Sequence, residues 1–444
     1  MSFWELAGDA WFNLVTWGVF GALSILSVLL LLYPSDRGAR LRPWVLHQLR
    51  RLSRRSDVDW LDWRPLLVTG AVAFAAVSAY GLLNGLYGCH PSGVSDPIGV
   101  LNSGRAFWAG QDPFTVSDCG GTIQVPYGLA AVLIDAIGSL GGLPGIYAIW
   151  GAIGLSLLPL TWALGGGERR MVTLFVATSP LFAPLISTQI DGATNAIVPV
   201  TVLLSIYLAR RSEGWAMIAG GFLSTARFPN VLAILGAAGK LSRRVLAVAA
   251  GVASFAVATA IAYAAWGPGF VGPVFLNQIG RRSFSLNLYG IFLLGNALPS
   301  SLLIEGVEGV LTLSLLVFAV IRGRSAIHSA AIVLVGFALL TPFLSFNILV
   351  WLLPVALMGA RARWWLWGIT VVGSINYDLA LNLWFWGDGV AWPSAVLDAV
   401  LTVLLLALLV ELARTGRDVP ARPPAAATVG PAGRADRAAS RSPP

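Results

Sequence analysis

Side chains able to do chemistry are scarce in this sequence, and they gather in a few short polar stretches. The richest runs from Cys89 to Val125 and holds Asp96, Arg105, Trp108 and Asp112. A single positioned carboxylate suits displacement by a hydroxyl, because it takes the hydroxyl proton as the oxygen attacks. Asp96 is the candidate base. It also precedes an amphipathic stretch, Ile98 to Trp108, where an Asp serves as a helix cap. A cation nearby would steady a departing phosphate, and Arg105, Arg227, Arg281 and Arg282 are the candidates. Asp112, in Gly110-Gln111-Asp112-Pro113, has the chemistry of a turn residue and is also a candidate substrate contact. Trp108 is either a ring for a ligand to stack on or an interfacial anchor. Gln189 and Asp191, in the polar turn Thr188 to Gly192, are candidates for shaping a pocket.

Cys89 and Cys119 bracket Asp96. In an oxidising compartment they form a candidate disulfide, and a loop of that length would be constrained by roughly 3 kcal/mol in the chain-entropy model. The alternative is two unpaired thiols. With two Cys and three His in the chain, no metal-ligand cluster is apparent. No bound metal or cofactor is expected.

The elements that must position these residues are apolar. Of 444 residues, 57% are hydrophobic and 11% charged, where soluble domains carry roughly a quarter charged residues. The mean hydropathy is +0.76. Runs of roughly 20 apolar residues, the length of a spanning helix, recur along the chain, without the alternation of a β-barrel. The fold class is therefore all-α, a polytopic transmembrane bundle of about 13 spans. The net charge of +8 sits in short segments between apolar runs and in the tail, the distribution of cytoplasmic loops. Nucleic acid is not an expected partner; the lipid bilayer is.

Trp11 to Tyr33 reads as a first, retained helix, since no basic leader or small-residue cleavage site precedes it. The arginine-rich stretch to residue 64 reads as a cytoplasmic loop, lying on anionic headgroups or simply solvated. Pro65 to Tyr87 then crosses outward, so Gly88 to Val125 is extracytoplasmic, with Ile98 to Trp108 lying in the interface plane. Trp215 to Ala238 is interrupted by Ala226-Arg227-Phe228-Pro229-Asn230, and a residue before proline is pushed off helical dihedrals. Two half-helices are expected there, tolerated at membrane depth where they line a cavity. Three regions follow: an extra helix and basic loop over 1–64, a catalytic bundle over 65–412, and a disordered cytoplasmic tail over 413–444.

Asp96 followed fourteen positions later by Gly110-Gln111-Asp112-Pro113-Phe114 resembles the first outer loop of the polyprenyl-phosphate-sugar-dependent glycosyltransferases of the GT-C superfamily. The pattern is most similar to glycosyltransferase family 87, which includes actinobacterial mannosyltransferases. Val125-Pro126-Tyr127-Gly128, Thr188-Gln189-Ile190-Asp191, Ala226-Arg227-Phe228-Pro229, Thr341 to Asn347 and Val350-Trp351-Leu352-Leu353-Pro354 resemble further family patches in the same order. Arg227 stands where the family usually has Lys, and Asn347 where it often has His. The resemblance spans roughly residues 65–412.

It implies a GT-C-like bundle facing outward. The implied activity is inverting transfer of a sugar, the hexose mannose foremost and the pentose arabinofuranose second, from a polyprenyl phosphate to a glycolipid or glycan of the cell envelope. Asp96 would be the base, with Arg227, Arg281 and Arg282 near the phosphate and Asn347 near the donor. The donor would enter laterally from the bilayer, which requires no Gly-rich nucleotide loop, and none is present. The competing expectation is a transporter or flippase for a lipid-linked or small polar solute. The absence of an internal repeat counts against it.

Overall fold

The computed structural model describes residues 47–48, 51, 62–83, 96–117, 121–125, 127–166, 169–178, 194–276, 302–341, 346–360, 365–366, 368–373 and 392–415. The architecture is helical. In chain order the helices are α1 (Trp63–Leu83), α2 (Asp96–Trp108), α3 (Leu129–Ser139), α4 (Gly142–Leu155), α5 (Leu157–Leu164), α6 (Arg169–Thr178), α7 (Ile197–Ala209) and α8 (Glu213–Ser224). They continue with α9 (Pro229–Ala238), α10 (Arg244–Trp266), the short α11 (Pro268–Val271), α12 (Leu302–Arg322), α13 (Ala326–Leu340), α14 (Phe346–Gly359) and α15 (Trp392–Thr415). α15 runs three residues into the stretch read from sequence as tail.

Among the described residues, three helical stretches are long and apolar enough to cross a membrane: Gly142–Leu164, Arg244–Trp266 and Val396–Arg414. α10 shows what kind of surface they carry. Only 22% of its most apolar window is buried, and Val252, Val257, Ile261 and Tyr263 are exposed. An apolar face of that extent is a surface for lipid or another apolar partner, so the chain associates with membranes. The protein core lies elsewhere. α13 is buried over most of its length and is packed by α9, α12, α14 and α15.

The helices approach through small residues, as spans do when no hydrophobic effect drives them together. Gly221 of α8 faces the Gly251 carbonyl of α10 so closely that a Cβ would collide with it. α2 uses the same device. A Cβ on Gly104 would strike the Asp135 carbonyl of α3, and one on Gly99 would strike Ile123. This alters the face expected from the apolar pattern of α2. Ser103 is fully buried, whereas Trp108 is 56% exposed. Small residues, Ser103, Gly104 and Ala106, share the packed side with Val100 and Leu101.

The polar loop also contains the two-stranded hairpin β1 (Thr115–Ser117) and β2 (Thr122–Gln124), which the all-α reading did not contain. Val116 pairs with Ile123 in an antiparallel register. Asn102 of α2 donates from Nδ2 to the Ser117 carbonyl at 2.8 Å, fastening helix to hairpin.

Candidate functional site

The expected break in the stretch Trp215 to Ala238 is present. α8 ends at Ser224, α9 begins at Pro229, and residues 225–228 form the turn between them. Pro229 occupies the first position of α9, where its missing N–H costs no hydrogen bond. The turn docks on the start of α3. Gly128 precedes α3 and has no side chain to cap it. Thr225 does so from across the fold: its Oγ1 accepts from the Ala130 N–H at 3.0 Å and donates to the Phe222 carbonyl at 2.7 Å. The approach requires glycine at 128, because a Cβ there would overlap the Thr225 carbonyl.

This docking holds Arg227 half-buried between two other segments. Its guanidinium lies 4.1 Å from the ring centroid of Tyr127, and Nη2 donates to Thr194 Oγ1 at 3.3 Å. Its Nε is buried without a hydrogen-bond partner. No carboxylate among the described residues pairs with it. A desolvated cation normally finds an anion; here the Tyr127 face and one hydroxyl supply only part of the compensation. The arrangement can accept an anionic group.

Asn230, one position past Pro229, is fully buried with both amide atoms unpartnered. Sequence reading singled out the segment for Arg227 and passed over it, although a polar amide inside an apolar helical window was the available signal. Asp135 was passed over too. It is fully buried on α3, accepts from Trp150 Nε1 at 2.8 Å through Oδ1, and leaves Oδ2 unpartnered. A lone acid in an apolar helix is a signal of the kind that marks functional positions.

Asp96 is the first residue of α2, and Arg105 and Trp108 lie in its last turn. They are separated by about 13–18 Å along the axis at 1.5 Å per residue. Near the Asp96 end, Gly99 meets Ile123 of β2; Tyr127, four residues further along the chain, lies against the Arg227 guanidinium. Arg105 is exposed, and Trp108 donates from its indole Nε1 to the Ala136 carbonyl at 2.7 Å. That bond fixes Trp108 as an anchor of α2 on α3.

Asp112 fulfils the turn role. Its Oδ1 accepts from the Phe114 N–H at 2.9 Å, and its carboxylate packs against Gly269 in α11. Trp266 Nε1 donates to the Gln111 carbonyl at 3.2 Å and its ring meets Phe114 edge-on. The loop is thereby clamped to the end of α10.

Asn195 accepts from Trp351 Nε1 at 2.7 Å, so the start of the α7 segment and the first turns of α14, which carries Asn347, are in contact. Cys89, Cys119, Gln189, Asp191, Arg281 and Arg282 lie outside the described residues, as do the first helix, most of the basic loop and nearly all of the tail. Among the described residues, no three His, Cys, Asp or Glu side chains gather to hold a metal.

No protein-family model matches this sequence, and no curated protein matches it.

Proposed function

We propose that the protein is a membrane glycosyltransferase of the GT-C type. It moves a hexose, mannose foremost, from a polyprenyl phosphate to a hydroxyl of a glycolipid or glycan outside the membrane. The chain forms a polytopic bundle of about 13 spans, with the hairpin loop and the α8–α9 break on the extracytoplasmic side. The observation that carries this reading is Arg227: a half-buried guanidinium at a helix break, lodged against Tyr127, with Nε unpartnered. A lipid-borne phosphate is the anion that such a cation can meet in an apolar bundle. The motif order from Asp96 to Asn347 supports the same reading.

In the reaction, the Asp96 carboxylate accepts the acceptor's hydroxyl proton as that oxygen attacks the anomeric carbon. The bond from the anomeric carbon to the phosphate oxygen breaks, and its electron pair leaves with the phosphate. Arg227 steadies the charge that develops there. Attack opposite the leaving group inverts the anomeric centre. The acceptor and the phosphate occupy opposite sides of the sugar, which matches a base and a cation carried on different segments.

The test is turnover by the full-length protein in nanodiscs with a labelled polyprenyl-phosphate hexose. Asp96→Asn lowers kcat by about 100-fold or more, the typical contribution of a positioned base. Arg227→Gln mainly weakens leaving-group stabilisation and donor binding. Full turnover by Asp96→Asn sinks the assignment of the base, and movement of substrate across sealed proteoliposomes without a new glycosidic bond favours transport instead.

A further inference from the structure

The two halves of the stretch Trp215 to Ala238 do not continue in one direction. Glu213, the first residue of α8, closes on the chain just beyond α9. Its Oε1 accepts from the Ser242 N–H at 3.0 Å and the Ser242 hydroxyl at 2.7 Å, and its Oε2 accepts from the Arg243 N–H at 2.8 Å. A merely kinked helix would hold residues 29 positions apart at about 44 Å. Midway along, Gly220 of α8 faces Ile234 of α9. The pairing is antiparallel, and α8 and α9 form a helical hairpin whose tip is the break at 225–228.

The tip lies at membrane depth. α8 has 12 residues and α9 has 10, so each reaches about 15–18 Å from the base, near half of a hydrocarbon core of roughly 30 Å. α10 gives an independent measure. Phe228 at the tip meets Phe255 edge-on at 5.2 Å, and Phe255 lies about 16 Å along α10 from Arg244.

The base stands on a basic face. Arg210 and Arg211 follow α7, Lys240, Arg243 and Arg244 join α9 to α10, and Arg322 ends α12. Contacts hold these ends on one level: Arg210 Nη1 donates to the Ala163 carbonyl at the end of α5 at 3.2 Å, and a Cβ on Gly239 would crowd Val320 in the last turn of α12. Had the segment crossed, Arg210 and Arg243 would lie on opposite faces, against the distribution that places Lys and Arg on the cytoplasmic side. Between base and tip, Met217 of α8 and Asn230, Ala233, Ile234 and Ala237 of α9 are all fully buried, so the hairpin is packed below Arg227. Non-helical backbone at membrane depth is tolerated where protein covers it or a cavity borders it, and an ionisable side chain there faces the bundle interior or a water-filled cavity.

We infer that α8 and α9 form a re-entrant hairpin, which enters and leaves the bilayer on the cytoplasmic side without crossing it and holds Arg227 near half depth in an anion-accepting site that opens toward the extracytoplasmic side. The chain then makes one crossing fewer than its apolar runs suggest, and α7 and α10 cross in opposite directions.

Ser212→Cys and Arg244→Cys, both at exposed positions, are made singly in the full-length protein. A membrane-impermeant maleimide is applied to right-side-out and inside-out vesicles, and the wild type with its own two cysteines sets the background. Both variants should gain label at least fivefold in inside-out vesicles and less than twofold in right-side-out ones. Label at the two positions from opposite faces means that the segment crosses and overturns the hairpin; label at both from outside overturns the assignment of sides. The opening is read at Arg227→Cys, or at Tyr127→Cys if that variant does not accumulate, with a small cationic methanethiosulfonate. Reaction should occur from the extracytoplasmic face, and reaction from the cytoplasmic face or from neither overturns the opening. No readout uses a substrate, so the hairpin stands or falls independently of glycosyl transfer.

Discussion

Thr225→Val tests whether the helix break is held by the cross-fold cap. Thr225 is 3% exposed, and its Oγ1 receives the Ala130 N–H at 3.0 Å. Valine keeps the shape, so no cavity opens, but the buried amide at the start of α3 loses its acceptor. An orphaned buried donor costs about 1–3 kcal/mol, and loss of a helix N-cap costs about 0.5–2 kcal/mol. Hydrogen bonds between membrane helices average nearer 0.6 kcal/mol, so the expected destabilisation is about 1–2 kcal/mol. Thr225→Ser keeps the hydroxyl and should lose less. The assay is equilibrium unfolding of the full-length protein in mixed micelles, with donor KM measured in parallel. Thr225→Val should raise donor KM, because Arg227 sits two residues from the lost anchor. Stability of Thr225→Val equal to that of the wild type, or lower stability for the serine variant, would refute the trans-cap account.

Three further outcomes follow from other contacts. Trp150→Phe leaves Asp135 with both carboxylate oxygens unpartnered in a fully buried site, and should destabilise the protein by about 1–3 kcal/mol; adding Asp135→Leu should recover part of that in the same unfolding assay. Glu213 is half-buried at the start of α8. Against a desolvation effect that pulls upward, hydrogen bonds from the Ser242 side chain and the Arg243 and Ser242 backbone hold its carboxyl below the usual glutamate range, with the Arg243 charge assisting. Because the folded value is depressed, its small stabilising contribution is present above the unfolded value of about 4.3 and is lost as pH falls through the folded one. Glu213→Gln should remove that part of the acid slope in stability measured between neutral pH and pH 4. Gly110 has a φ of +68° with open space around the missing Cβ, so Gly110→Ala should cost about 1 kcal/mol from backbone strain alone, read as a shift in denaturation midpoint without a change in KM.

The break at 225–228 was legible because proline lacks the N–H that an interior helix position must donate, so Pro229 favours the start of a helix. The Asp112 turn was legible for the same kind of local reason, an Asp-Pro pair whose carboxylate reaches the backbone two residues on. What escaped was non-local. Ser103 is buried and Trp108 exposed because Gly104 lets α2 sit on the Asp135 carbonyl, and that contact belongs to two segments rather than to one periodicity. Three-residue strands such as Thr115–Ser117 show too little alternation to register. Asp135 and Asn230 were each a single polar residue in an apolar run, and only their burial and unmet hydrogen bonds separate them from ordinary helix surface.

The role of Arg227 illustrates the division. Its residue type and the adjacent proline pointed to the segment, but the Tyr127 contact joins positions 100 residues apart. Tyr127 lies at the end of the hairpin loop, so the loop that begins near Asp96 and the break that carries Arg227 form one structural unit.

Glycosyl transfer itself is tested most directly by product stoichiometry. The wild-type full-length protein in nanodiscs is incubated with a polyprenyl-phosphate hexose and a hydroxyl acceptor, and both products are quantified. The account predicts one polyprenyl phosphate released for each new glycosidic bond, with the anomeric configuration inverted. Donor left intact, or carried across a sealed vesicle without a new bond, would contradict it.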